Sequence, residues 1–124
     1  MNWRRSKILT VSLTLILVLS MVLISGYSEA GYMKHWSNPE EIERGEQTSL
    51  TFIVLSTFSD CKDQVKITLE GDITKYAELS DKEFVLGNAS SDNSNKEVTV
   101  TVSPPENKNI TTVEGNIHIT HKAI

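Results

Sequence analysis

The sequence predicts an all-β protein, an antiparallel two-sheet β-sandwich of about seven strands preceded by one N-terminal apolar helix. Short segments alternate between apolar and polar residues, as strands with one buried face do. Glycine, proline and asparagine separate these segments at intervals typical of sandwiches. A basic start followed by an uncharged, mostly apolar run accounts for the predicted helix.

The apolar run comprises the seventeen residues 8–24 and follows Arg4, Arg5 and Lys7. As a helix it would be roughly 25 Å long, slightly short of a hydrocarbon layer of about 30 Å. It is also longer than the usual signal-peptide core of about 7–15 residues. Residues 1–30 are therefore predicted to be either a cleaved signal peptide or a retained transmembrane anchor. Ser28-Glu29-Ala30 is the favoured cleavage site, and Ile24-Ser25-Gly26 is a weaker alternative.

The basic residues before the apolar run tend to stay in the cytoplasm, which sends the following chain across the membrane. We therefore expect residues 31–124 to be extracytoplasmic, either secreted or anchored to the cell membrane and facing outward. Residues 31–46 form a predicted entry segment with an edge strand near Ile42. Residues 47–124 form the predicted sandwich, which could begin as early as residue 36.

Each predicted strand follows from its own pattern. Residues 47–56 are rich in β-formers and apolar on both faces in the middle, which favours a central strand. Residues 64–70 alternate cleanly, and Gly71-Asp72 marks the turn after them. Residues 73–79 fit either a strand or one helical turn. The acidic residues Asp60, Asp63, Glu70 and Asp72, together with Asp92, favour a solvated face over a calcium site, because they lack the order of an EF-hand.

The C-terminal half continues the same pattern. Residues 83–86 are a short strand candidate, and the polar stretch 87–95 is a predicted loop. Residues 97–103 alternate strictly, with valine at 98, 100 and 102, until Pro104-Pro105 ends the strand. Residues 113–121 form the last predicted strand, with Ile117 and Ile119 facing inward.

Charge and cysteine content limit the partners. Residues 31–124 contain nine Lys/Arg and fifteen Asp/Glu, a net charge of −6 that disfavours nucleic acid and anionic lipid. The single cysteine, Cys61, is predicted to be a free thiol and cannot form an internal disulfide, so the domain must rely on its core. An exported domain without disulfides points to a prokaryotic surface protein.

Four segments together resemble a known family: Gly45-Glu46-Gln47 after Pro39, Phe84-Val85-Leu86-Gly87, the run from Val98 to Pro105, and the run from Glu114 to Thr120. They are similar to the immunoglobulin-like modules of archaeal and bacterial surface proteins, of the NEW3 and related kinds, over residues 36–121. The resemblance implies an immunoglobulin-like sandwich that acts as a spacer, adhesion or accessory module and has no catalytic residues.

The predicted function is therefore a non-catalytic immunoglobulin-like module of the cell surface, which binds a protein or envelope component and needs no cofactor. Enzymatic motifs such as Gly-x-Ser-x-Gly or His-Glu-x-x-His are absent from the sequence. Two alternatives stay open: an accessory carbohydrate-binding domain, with Trp36 as the stacking aromatic, or a truncated fragment of a multi-module surface protein.

Two further sites are predicted. Asn88 and Asn109 begin the tripeptides Asn-Ala-Ser and Asn-Ile-Thr, which fit the N-glycosylation acceptor pattern in exported loops and suggest a glycoprotein. His118 and His121 do not suggest a metal site, because positions three apart on a strand point to opposite faces.

Overall fold

The computed structural model describes residues 8–20 and 31–124, with only the backbone described for residues 17–20. These residues form nine strands and one short 3₁₀ helix, Asp72–Lys75. The strands are β1 Ile8–Ser20, β2 Tyr32–Lys34, β3 Glu40–Glu43, β4 Thr48–Leu55, β5 Asp63–Glu70, β6 Ala77–Leu79, β7 Glu83–Leu86, β8 Asn95–Val102 and β9 Thr112–Ala123.

The strands form two sheets, so the predicted all-β sandwich is confirmed at this level. One sheet has the order β3-β1-β9-β5-β7, and the other has the order β2-β4-β8-β6. The long pairs β4–β8 and β5–β9 lie at the centre of the two sheets and are antiparallel over eight residues each. β3 is an outer strand of the larger sheet, and Ile42 is its buried residue.

The predicted N-terminal apolar helix is not observed: residues 8–20 form strand β1. Leu9, Val11, Leu13 and Leu15 are buried, whereas the intervening residues 10, 12 and 14 are threonine or serine. A period of two with β-branched residues suits a half-buried strand, and a sheet position satisfies the backbone groups of this segment as fully as a helix would. Residues 1–7 and 21–30, including both predicted cleavage sites, lie outside the described residues.

The core lies between the two sheets. The predicted inward faces of β8 and β9 are confirmed, because Val98, Val100, Val102, Ile117 and Ile119 are all 0% exposed. Burying one such side chain contributes roughly 1.5–3 kcal/mol, so these strands supply much of the apolar stabilisation. The whole cluster adds Leu9, Val11, Leu13, Leu15, Trp36, Ile42, Leu50, Phe52, Val54, Val65, Ile67, Ile73, Leu86 and Val113.

The turn predicted at Gly71-Asp72 leads into the 3₁₀ helix and then β6, so residues 73–79 contain both structures that their pattern left open. Gly71 has φ of +96°, a conformation that favours glycine. A Cβ built on Gly71 would lie 2.8 Å from the Cα of Gly115 in β9. The turn therefore packs its backbone directly against β9, which only glycine permits.

Aspartate substitutions on β8 test the assignment of its two faces. Val100→Asp is expected to unfold the domain, because it places an unpaired charge between the sheets, where Val100 is 0% exposed. Thr99→Asp is expected to be tolerated, because Thr99 is only partly buried. Thermal melting of both variants checks this, and equal melting midpoints would contradict the assigned faces.

Candidate functional site

The N-terminal strand β1 lies between β3 and β9 in the larger sheet. We call the space that it fills the strand slot. On one side, residues 8–11 of β1 pair with β3 in antiparallel register, from Ile8 opposite Glu43 to Val11 opposite Glu40. On the other side, β1 pairs with β9 over eleven residues, from Thr10 opposite Thr112 to Ser20 opposite Lys122. β1 thus joins two strands that would otherwise not pair with each other.

The inward face of the slot is apolar. Leu9, Val11 and Leu13 are 0% exposed and Leu15 is 8% exposed. At roughly 1.5–3 kcal/mol each, burial of these four side chains contributes about 6–12 kcal/mol. This is comparable to the entire net stability of a typical domain, about 5–15 kcal/mol. The conformational entropy lost on ordering β1 offsets part of this gain, and an empty slot would leave an apolar groove in the larger sheet.

Side chains from the segment before β3 hold the middle of β1. The backbone N–H of Leu13 and the hydroxyl of Ser12 both donate to Asn38 Oδ1, each at 3.2 Å. Asn38 Nδ2 donates to Thr14 Oγ1 at 3.3 Å. These contacts begin where the pairing with β3 ends, so Asn38 continues the recognition of β1 by hydrogen bonds from its side chain.

The direction of β1 distinguishes it from the other strands. β1 runs parallel to β9, whereas every other strand pair among the described residues is antiparallel. A parallel neighbour requires a crossover connection, and four strands of the opposite sheet, β2, β4, β6 and β8, lie between β1 and β9 in chain order. The occupant of the slot is thus distant in sequence from both of its neighbours.

Trp36 does not present a stacking surface. Its side chain is only 7% exposed, and its ring lies edge-on to Phe52, with 6.0 Å between the ring centroids. Its indole Nε1 donates to the carbonyl oxygen of Leu13 in β1 at 3.2 Å. With β1 in place, the indole has no open face for a sugar ring. Its hydrogen bond to Leu13 instead helps to fix β1 in the strand slot.

A second group of polar residues is fully buried at the far end of the larger sheet. The Asp63 Oδ2 atom accepts hydrogen bonds from the backbone N–H of Thr57 at 3.0 Å and from its hydroxyl at 3.1 Å. The same oxygen lies 2.6 Å from His121 Nδ1, which donates when the carboxyl is ionised. All three residues are 0% exposed, so they cannot contact a ligand from solvent. They connect the loop after β4, the start of β5 and the end of β9.

The expectation of a solvated acidic face is wrong for Asp63, which is buried with Thr57 and His121. The reason is visible in the strand pattern: Asp63 shares the inward parity of Val65 and Ile67. Glu70 and Asp72 are exposed, and Glu70 Oε2 lies 2.9 Å from His118 Nε2. His118 and His121 lie on opposite faces of β9, as their spacing predicts.

Cys61 lies in the loop between β4 and β5 and is partly exposed. Its neighbours Asp60 and Lys62 are exposed, and together they line a shallow surface depression with Val85 and Gly87. The structure forms no disulfide at this residue. The thiol is therefore placed at the surface beside the outer strand β7.

The two predicted acceptor asparagines lie in loops. Asn88 follows β7, is partly exposed, and its Oδ1 accepts from the backbone N–H of Ser90 at 3.1 Å. Asn109 is exposed in the loop between β8 and β9. Arg44 anchors this second loop by donating to the carbonyl oxygens of Pro105 and Ile110. Both tripeptides are at positions that an external enzyme can reach.

Comparison of this chain with protein-family models and with curated proteins finds no match. Within the part of the chain that the structure describes, there is no helix with the length and apolar character needed to cross a membrane. The arguments about function therefore depend on the fold and the strand slot.

Sequence reasoning missed the slot and the buried polar group, although a signal for each was present. The alternation of Thr10, Ser12 and Thr14 with aliphatic residues is a strand pattern inside the apolar run. His121 shares the parity of Ile117 and Ile119, which marks it as inward-facing. No local pattern identifies the strands that pair with β1 or shows that His121 contacts Asp63.

Proposed function

We propose that this protein is an exported, non-catalytic immunoglobulin-like module that binds another protein or an envelope component at the cell surface. The observation that carries the proposal is the arrangement of strand neighbours. The sheet order β2-β4-β8-β6 corresponds to the ABED sheet of an immunoglobulin domain, and β5-β9 corresponds to the C–F pair of the other sheet. β6 precedes β7 along the chain, which departs from the constant-type order, as many related sandwiches do.

The N-terminal sequence supports export. Three basic residues followed by an uncharged apolar run are what the export machinery recognises, whichever structure the run adopts afterwards. The net charge of −6 over residues 31–124 favours a soluble surface domain with a protein partner over binding to nucleic acid. The alternative of carbohydrate binding through Trp36 loses its support, because the indole is buried against Phe52.

Fractionation of native cells with mass determination of the product tests this proposal. We expect the protein in an extracytoplasmic or membrane fraction, with a mass that reports whether residues 1–30 are retained. Recovery of the unprocessed chain from the cytosol would contradict export.

Glycosylation at Asn88 and Asn109 is a separate prediction, for a host that glycosylates exported proteins. We expect each occupied site to add the mass of a glycan, because both tripeptides are accessible in loops. Ser90→Ala and Thr111→Ala keep the asparagines but remove the acceptor pattern, so each should abolish the added mass at its own site. Unmodified peptides at both sites in native protein would remove this prediction.

A further inference from the structure

We propose that the strand slot is a binding site for an extended segment of a partner protein, which replaces residues 8–20 and pairs with β3 and β9. This inference rests on the proposed export. The partner segment has aliphatic side chains at alternate positions and runs parallel to β9. Such strand addition is a known mode of peptide recognition, in which backbone hydrogen bonds give affinity and alternate side chains give specificity.

The first argument is that residues 8–20 have two incompatible uses. In the sandwich they pair with β3 and β9 along their length. During export the same residues must be held by the export machinery or the bilayer as an apolar segment. They cannot occupy both places at once, so the slot is open whenever the N-terminus is engaged elsewhere or removed.

The second argument is the position of the slot in the fold. In the proposed immunoglobulin-like arrangement, the neighbour of β9 on this side is the G strand, which is antiparallel to F. β1 stands at that position but runs parallel to β9. The slot therefore accepts a strand that is not the continuation of β9, and both of its edges bond to a segment from elsewhere in the chain.

The chemistry of the slot defines its occupant. The inward positions take aliphatic side chains, as Leu9, Val11 and Leu13 do at 0% exposure. The outward positions lie beside acidic residues: position 10 is opposite Glu41, and position 12 is opposite Glu114. Both glutamates are exposed. A partner segment with lysine, arginine or a hydroxyl residue at these outward positions fits the slot best.

The test uses the full chain with its own strand disabled. Leu13→Lys removes a fully buried side chain of β1 and puts a charge on its inward face, so it weakens occupation of the slot by β1. The probe is a synthetic peptide of residues 8–20 with a solubilising lysine tail. At about 100 times its Kd, the peptide should stabilise the folded variant about 100-fold by mass action. In a domain of this size that corresponds to a rise in Tm of roughly 10–20 °C.

Two controls isolate the slot. The same peptide carrying Leu13→Lys should not raise the Tm, because it cannot fill the apolar face. The native full chain should not respond to the unmodified peptide, because its own β1 already fills the slot. If the Leu13→Lys chain does not fold alone, the peptide should produce a cooperative melting transition. No effect of the peptide, or an equal effect in either control, would overturn the proposal.

Register provides an independent readout. In the Leu13→Lys chain that also carries Cys61→Ser and Glu114→Cys, a peptide with Ser12→Cys should form a disulfide, because positions 12 and 114 are paired in β1 and β9. A peptide with Thr14→Cys should link weakly, since two residues along a strand displace the thiol by about 6.6 Å. Equal linking by both peptides would overturn the parallel register. Failure of the peptide to bind leaves export untouched, whereas a cytosolic native protein overturns export without affecting peptide binding.

Discussion

Leu13→Lys is expected to lower the free energy of unfolding by about 4 kcal/mol or more, a large part of the roughly 5–15 kcal/mol of a typical domain. Leu13 is 0% exposed on the inward face of β1. Loss of a buried leucine costs about 2–5 kcal/mol, and an unpaired charge in the same place adds a desolvation penalty. Urea denaturation of the full chain, followed by far-UV circular dichroism, measures the change.

Thr14→Lys is the matched control for this experiment. Thr14 is exposed at the adjacent position of β1, opposite Asn116. A lysine there gives up only the exposed hydrogen bond from Asn38 Nδ2, so it should lower the free energy of unfolding by about 1 kcal/mol or less. Both variants insert the same charge into the same apolar run, at neighbouring positions that face opposite sides of the strand. If both were equally stable, residues 8–20 would not be a strand of the sandwich.

Asp63→Ala is expected to lower the free energy of unfolding by about 3–5 kcal/mol. The substitution removes the oxygen that accepts from the backbone and hydroxyl of Thr57 and that contacts His121 at 2.6 Å. Because all three residues are fully buried, water cannot replace the lost acceptor without entering the core. Urea titration at neutral pH measures the effect.

Asp60→Ala controls for the loss of a negative charge, because Asp60 lies in the loop just before β5. Asp60 is exposed, so its removal should change stability by no more than about 0.5 kcal/mol. A double-mutant cycle adds specificity: Thr57→Val should cost less in the Asp63→Ala background than in the native chain, with a coupling of about 0.5–3 kcal/mol. Similar stabilities for Asp63→Ala and Asp60→Ala would show that the buried hydrogen bonds contribute little.

The two predictions concern opposite ends of one sheet and different kinds of stabilisation. Leu13 acts by apolar burial in a strand that joins β3 to β9. Asp63 acts by hydrogen bonds that tie the start of β5 to the end of β9. β9 takes part in both kinds of stabilisation, because it pairs with β1 on one side and with β5 on the other.

The inward faces of the strands were predictable from the sequence alone. The alternation at residues 97–103 identified Val98, Val100 and Val102 as buried, and the same parity placed Ile117 and Ile119 in the core. These predictions succeed because the side chains of a strand alternate with a period of two, and this property depends only on neighbours along the chain. The two-sheet, all-β class follows from several such segments separated by turns.

The tertiary structure alone decided which segments meet. Residues 8–20 have the composition of a leader, and only the gap between β3 and β9 makes them a strand of the larger sheet. Likewise, Asp63 and His121 are 58 residues apart, and only the pairing of β5 with β9 makes them neighbours. Long-range pairing depends on the fit between surfaces that no local periodicity records, which is why composition suggested a helix and packing produced a strand.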